Sequence, residues 1–223
     1  MKFENKKLLI FDLDGTLINS ALDLALAVNY MLETIEQETF SEDIIHGWVG
    51  NGALMLVKRA LSGSRTVDEK LDESYVEKAL KIFLDYYEKN LCNATVTYPH
   101  VVSTLKTLEE KYTLAIVTNK PFAFVEPILK GLEMDGLFKF ILGGDSLSEK
   151  KPHPMPLLHV CEKLSISVEA SVMVGDSKND ILAAHACGMD SVGVTYGYNY
   201  GEDIGVHKPI VILDDFSELL ELL

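Results

Sequence analysis

Leu8-Leu9-Ile10-Phe11-Asp12-Leu13-Asp14-Gly15-Thr16-Leu17 is an apolar run that ends in two aspartates, a glycine and a hydroxyl. A continuous apolar run of this kind predicts a buried strand. Period-2 geometry would turn Asp12 and Asp14 to the same side if the strand continued. Gly15 predicts that it breaks there. Both carboxylates then sit at the carboxyl end of the strand, where open α/β sheets bind ligands. Two carboxylates held close repel, and one is pushed toward its protonated form. That pairing places a nucleophile beside a general acid/base, and a divalent cation would relieve the remaining repulsion. The plainer reading of the same residues is a polar turn after a buried strand.

The chain outside this stretch decides between the two readings. Its 223 residues suit one large domain, or a core with a smaller appended domain. Hydrophobic residues make up 48% and charged residues 24%, ordinary for a globular protein. No apolar run reaches the roughly 18 residues needed to span a bilayer. The first seven residues, MKFENKK, lead straight into the strand and show no signal peptide, so a cytoplasmic location is expected. Cys92, Cys161 and Cys187 are scattered, as expected of free thiols in a reducing compartment. A net charge of −14 argues against nucleic acid and against an anionic membrane surface as partners. It also requires that any phosphate site be dominated by a local cation.

After Leu17 the pattern changes to helical spacing. Apolar residues at Leu24, Val28, Met31, Leu32 and Ile35 predict a helix over 20–37, with Ser20 as its N-cap. A short helix follows from Ser41 to His46, another runs about 52–61 after the turn Gly50-Asn51-Gly52, and a third about 72–91. Residues 18–92 therefore read as a helical cap, and residues 1–17 and 93–223 as the core. In the core, helices at 100–111, 121–130, 154–164 and 178–187 alternate with strands at 113–117, 140–142, 171–174, 191–194 and 210–213. A short helix closes the chain at 216–222. The alternation predicts an α/β, Rossmann-like three-layer sandwich with a parallel sheet. The insert leaves beside Asp12 and Asp14, where it can act as a lid.

In a parallel sheet the strand ends share one edge, and four of them carry polar residues. These are Asp12 and Asp14, then Thr118 and Asn119, then Lys151 in its turn, then Asp176 and Asp180. Their chemistry is complementary for phosphoryl transfer. Asp12 can attack phosphorus and Asp14 can shuttle the proton. Thr118 can donate to a phosphoryl oxygen, with backbone N–H groups such as that of Asn119 beside it, and Lys151 supplies fixed positive charge. Asp176, Asp12 and the Asp14 backbone carbonyl offer hard oxygen ligands for Mg²⁺. Asp180, one turn further on, faces the site from behind those ligands. Taken singly, Thr118 and Asp176 read as helix caps, Lys151 as a surface lysine and Asp180 as an exposed first-turn acid. The order in which they occur favours function.

Together Asp12-Leu13-Asp14-Gly15-Thr16, Val117-Thr118-Asn119, Lys151-Pro152 and Gly175-Asp176-Ser177-Lys178-Asn179-Asp180 resemble the four motifs of the haloacid dehalogenase-like hydrolases. The resemblance spans nearly the whole chain, and the insert resembles that superfamily's cap. Trp48-Val49-Gly50-Asn51-Gly52, Val117–Pro121 and Thr195–Gly201 resemble the bacterial members that act on 2-phosphoglycolate. That resemblance implies Mg²⁺-dependent hydrolysis of 2-phosphoglycolate, a small phosphorylated metabolite, by a monomer or homodimer. Other small esters, such as nucleoside monophosphates and sugar phosphates, and a phosphosugar mutase remain as alternatives. A dehalogenase needs neither Asp14 nor Asp176, and a noncatalytic module would be expected to lose Asp12 or Asp14. Gly50, Asn51 and Gly52 are expected either to lay backbone N–H groups over a small carboxylate or to form a plain interhelical turn. Lys58 and Arg59 read as solvated helix residues rather than as the cap's positive charge. Trp48 reads as cap core, and His153, His159 and His185 as structural. The loop Tyr196–Tyr200 reads equally as an interface or a site wall.

Overall fold

A computed structural model describes residues 3–223; Met1 and Lys2 of the N-terminal stretch lie outside the described residues. Strand β1, Leu8–Phe11, is followed by the two-residue β2, Ile18–Asn19. Four helices come next: α1 Ala21–Thr34, α2 Glu42–His46, α3 Ala53–Leu61 and α4 Glu73–Tyr87. The chain returns through β3, Val96–Thr97. It then alternates through α5 Val101–Leu108, β4 Thr113–Val117, α6 Phe122–Gly131, β5 Phe140–Leu142 and α7 Met155–Leu164. It ends through β6 Ser171–Gly175, α8 Lys178–Cys187, β7 Asp190–Val194, β8 Val211–Leu213 and α9 Leu219–Leu222.

Among the described residues, β1 and β4–β8 form one parallel sheet in the order β5-β4-β1-β6-β7-β8. β1 lies inside it with neighbours on both edges, which is why its sequence is apolar without a break. The pleat sorts its side chains. Leu9 and Phe11 join Ile116 and Val174 in the larger core, against α5 and α6. Leu8 and Ile10 join Val117 and Met173 on the other face, against α7 and α8. This is the expected Rossmann-like sandwich. Gly188, in left-handed conformation, stops α8 where expected. No helix of the described residues is long and apolar enough to cross a membrane.

Several expectations need correction. β2 and β3 pair antiparallel, Ile18 with Thr97 and Asn19 with Val96, so the segment from residue 18 does not begin as helix. Two residues are too few to show a period. The first helix starts at Ala21 and ends at Thr34, and α4 gives way at Glu88 to a 3-10 turn. Ser20 precedes α1 but makes no capping hydrogen bond; its hydroxyl is engaged elsewhere, as described below.

Candidate active site

The carboxyl ends of β1, β4 and β6 meet at the middle of the sheet. Asp12 continues β1 by one hydrogen bond, its N–H donating to the Val174 carbonyl. The chain then turns at Gly15, whose φ of +86° is favourable for glycine. A Cβ there would collide with the Asp176 carboxylate, at 2.6 Å from its Cγ. The glycine lets the loop press against the end of β6.

Two separate networks grow from the two aspartates. Asp12 Oδ1 lies 3.0 Å from Lys151 Nζ, and the same ammonium lies 2.6 Å from Asp180 Oδ1. Lys151 is 1% exposed. Burial pulls its ammonium down, but the carboxylates of Asp12 and Asp180 hold it above the ordinary lysine value. Asp180 is fully buried, and its second oxygen accepts from the Ser177 N–H and hydroxyl at the start of α8. Asp176 accepts from the Thr16 hydroxyl at 2.8 Å and from the Tyr198 N–H at 2.8 Å. Carboxylate oxygens of Asp12, Asp176 and Asp180 all lie within 4.8 Å of one another.

Burial pushes the Asp12 carboxyl up to about 7, with Lys151 opposing and Asp180 reinforcing. Asp176 is raised well above the usual carboxylate range by burial, then by Asp180 and Asp12. These groups lack positive charge. Asp12, Asp14, Asp176 and Asp180 against Lys120 and Lys151 leave two negative charges, which one divalent cation balances. An all-oxygen donor set of this kind fits Mg²⁺.

Asp14 takes a different course. Its carboxylate accepts from Lys120 Nζ at 2.9 and 3.1 Å and from the Ser20 hydroxyl at 2.5 Å. It stands outside the cluster of carboxylates. Lys120 itself was not among the residues expected at the site. It is 5% exposed, and it also donates to the Tyr87 hydroxyl of α4 at 2.7 Å. Burial lowers its pKa, but Asp14 and Tyr87 outweigh this and raise it. Its place in Val117–Pro121 was visible; the direction of its side chain was not.

Thr118, 3% exposed, ends β4, and its oxygen accepts from the Lys120 N–H at 3.2 Å. The Asn119 carboxamide donates to the Lys151 carbonyl at 2.9 Å and so holds the Lys151 turn. Its own oxygen is buried without a partner.

The insert covers this edge of the sheet. Asn51 is held by three separate segments of the core. Its carbonyl accepts from Lys150 Nζ at 2.8 Å, its carboxamide NH₂ donates to Asn179 at 3.3 Å, and its carboxamide oxygen accepts from the Tyr200 hydroxyl. Gly50 and Gly52 flank it. Arg59 corrects the expectation of a solvated residue. It is 9% exposed beneath this loop and donates to the Trp48 and Gly50 carbonyls and to Asn51. Lys58, by contrast, pairs with the exposed Glu73. Trp48 is buried in the core of the insert, as expected. Of the loop Tyr196–Tyr200, Tyr198, Asn199 and Tyr200 line the cavity that remains. That cavity is about 70 Å³, room for roughly five waters. Asp12, Asp14, Thr118, Asn119, Lys120 and Asp176 also line it.

The chain resembles known proteins over its full length. The sequence model of a family described as haloacid dehalogenase-like hydrolase matches residues 9–194. A phosphoglycolate phosphatase of Colwellia psychrerythraea is 53% identical over 99% of this chain and 98% of that protein. One from Psychrobacter arcticus is 50% identical over 98% of this chain and 96% of that protein. A crystal structure from Haemophilus somnus, described as a predicted phosphoglycolate phosphatase, superposes with a TM-score of 0.92 at 44% identity, covering 98% of both chains.

Proposed function

The chain belongs to the haloacid dehalogenase-like hydrolases, and we propose that it is the member that hydrolyses 2-phosphoglycolate to glycolate and phosphate through an aspartyl-phosphate on Asp12. The observation that carries the chemistry is the division between the two aspartates. Asp12 faces Lys151 within the cluster, whereas Asp14 is drawn aside by Lys120 and Ser20. On this reading one carboxylate attacks and the other handles a proton. The relatives described above, named for phosphoglycolate, support the substrate.

An Asp12 oxygen forms a bond to phosphorus as the bond to the alkoxy oxygen breaks. Asp14, in its protonated form, gives a proton to that oxygen, and glycolate leaves. A water then attacks phosphorus while Asp14 takes its proton, and the bond to Asp12 breaks to release phosphate. The Thr118 hydroxyl and the Asn119 N–H then donate to phosphoryl oxygens, and Lys151 favours the ionised form of Asp12 and orients it. Asp12, Asp176 and the Asp14 backbone carbonyl would hold Mg²⁺, which when bound supplies the positive charge that the buried carboxylates lack. Asp180, with both oxygens engaged by Lys151 and Ser177, supports these residues from behind. The insert of residues 18–92 serves as a cap that excludes water, and the small cavity beneath it favours a small ester.

The test is phosphate release with Mg²⁺ across 2-phosphoglycolate, hexose phosphates and nucleoside monophosphates. A kcat/KM for 2-phosphoglycolate well above the rest is expected. A flat profile, or preference for another ester, would remove the substrate and leave the chemistry.

A further inference from the structure

Lys120 pairs with Asp14, and the mechanism above gives it no contact with substrate. Its ammonium is 2.9 and 3.1 Å from the two Asp14 oxygens and 2.7 Å from the Tyr87 hydroxyl. Lys151 is committed to Asp12 and Asp180, whereas Lys120 lines the cavity. Lys120 is 5% exposed, and Leu24, Leu56, Phe83 and Phe124 line the same cavity. In such surroundings an ion pair is strong and an unpaired anion is costly.

Asp14 marks where the leaving oxygen of the substrate must lie. A carboxylate one methylene beyond that oxygen falls within hydrogen-bond reach of an ammonium that itself touches Asp14. We propose that Lys120 is the residue that recognises a carboxylate on the leaving group, and so selects phosphate monoesters of small α-hydroxy acids. This rests on the phosphatase reading given above and adds the group that reads the substrate's second charge. A lysine has three N–H donors. Asp14 engages this ammonium through both of its oxygens, so one donor can turn to an incoming carboxylate while Asp14 keeps a contact. The Tyr87 hydroxyl, on the insert, limits how far the ammonium can move and ties recognition to the covered state.

The experiment compares kcat/KM for 2-phosphoglycolate with that for 2-hydroxyethyl phosphate, in which a hydroxymethyl group replaces the carboxylate. In the wild-type protein the ratio is expected to exceed tenfold. In Lys120→Met it is expected to fall at least tenfold, and in Lys120→Arg to survive in large part. If both esters lose activity by the same factor in Lys120→Met, Lys120 acts only on Asp14 and the proposal is overturned. If Lys120→Met does not fold, Lys120→Gln carries the same expectation, because it removes the charge and keeps hydrogen bonding. A phosphatase whose wild-type form shows no preference for the carboxylate ester overturns the substrate reading first, and this inference with it.

Discussion

The Tyr200 hydroxyl of the core donates to the Asn51 carboxamide of the insert, across the mouth of the cavity. The tyrosine is itself held in place. Its ring carries Arg65, Arg59 and Lys178 at 4.7, 5.3 and 5.3 Å from its centroid, and the Arg65 guanidinium donates to its carbonyl. The contact ties the Gly50–Gly52 loop to the Tyr196–Tyr200 loop.

Tyr200→Phe removes that hydrogen bond and keeps the ring. A neutral hydrogen bond contributes about 1 kcal/mol, so kcat/KM for the small ester is expected to fall about fivefold. Activity on bulkier esters is expected to fall less, because the lid no longer excludes them as firmly. Steady-state kinetics on both would show this; an unchanged profile would make the contact incidental.

Gly52 has φ of +88°, and a Cβ there would lie 2.8 Å from the Asn119 carbonyl oxygen. Gly52→Val adds a branched side chain at a backbone angle that costs about 1–3 kcal/mol. The loop must then draw back from Asn119. KM for 2-phosphoglycolate is expected to rise roughly tenfold. If KM does not change, the close approach of this loop plays no part in binding.

Asp12→Asn is expected to lower turnover by roughly a thousandfold or more, as loss of a nucleophile does. The protein should retain its circular dichroism and a cooperative thermal transition, because Lys151 keeps Asp180 as partner. Substantial turnover by a pure preparation would refute Asp12 as the nucleophile.

Metal and proton should compete for the same carboxylates. Asp12 is raised from 3.8 to about 7 in the metal-free fold. A carboxyl whose folded value is raised binds more protons folded than unfolded, so stability is greatest below about 4 and is lost as pH rises toward about 7. Asp176 acts in the same direction. The gain in Tm on adding Mg²⁺ should therefore be larger at pH 8 than at pH 5. EDTA should abolish turnover and Mg²⁺ restore it. An equal gain in Tm at both values would mean that the ion binds elsewhere.

Much of this arrangement was legible from the chain, for physical reasons. β1, β4 and β6 are covered on both faces, so Leu8–Phe11, Leu114–Val117 and Val172–Val174 are apolar without a break. The polar residues after each are then placed by topology alone. What the sequence hid depends on how side chains turn. Arg59 shares a helical pattern with Lys58, and only the docking of Trp48–Asn51 over it makes it buried. Ser20 has the residue type of a helix cap, but with φ −107° and ψ 8° it lacks the extended backbone usual for one, and its hydroxyl goes to Asp14 instead. Lys120 follows Thr118-Asn119 in the chain. Its partners Asp14 and Tyr87 are 106 and 33 residues away, beyond any local signal.

The pairing of Ile18–Asn19 with Val96–Thr97 has a consequence for how such a molecule can change over generations. The chain leaves the sheet and comes back to it through two strands that are bonded to each other. The two ends of the intervening segment are therefore neighbours, and lengthening what lies between them adds only a slowly growing entropy of closure. Helices there can be inserted, deleted or exchanged as a unit while β1, β4 and β6 keep their register. One hydrolytic centre can thus be offered to successive substrates by recombination at a single pair of breakpoints.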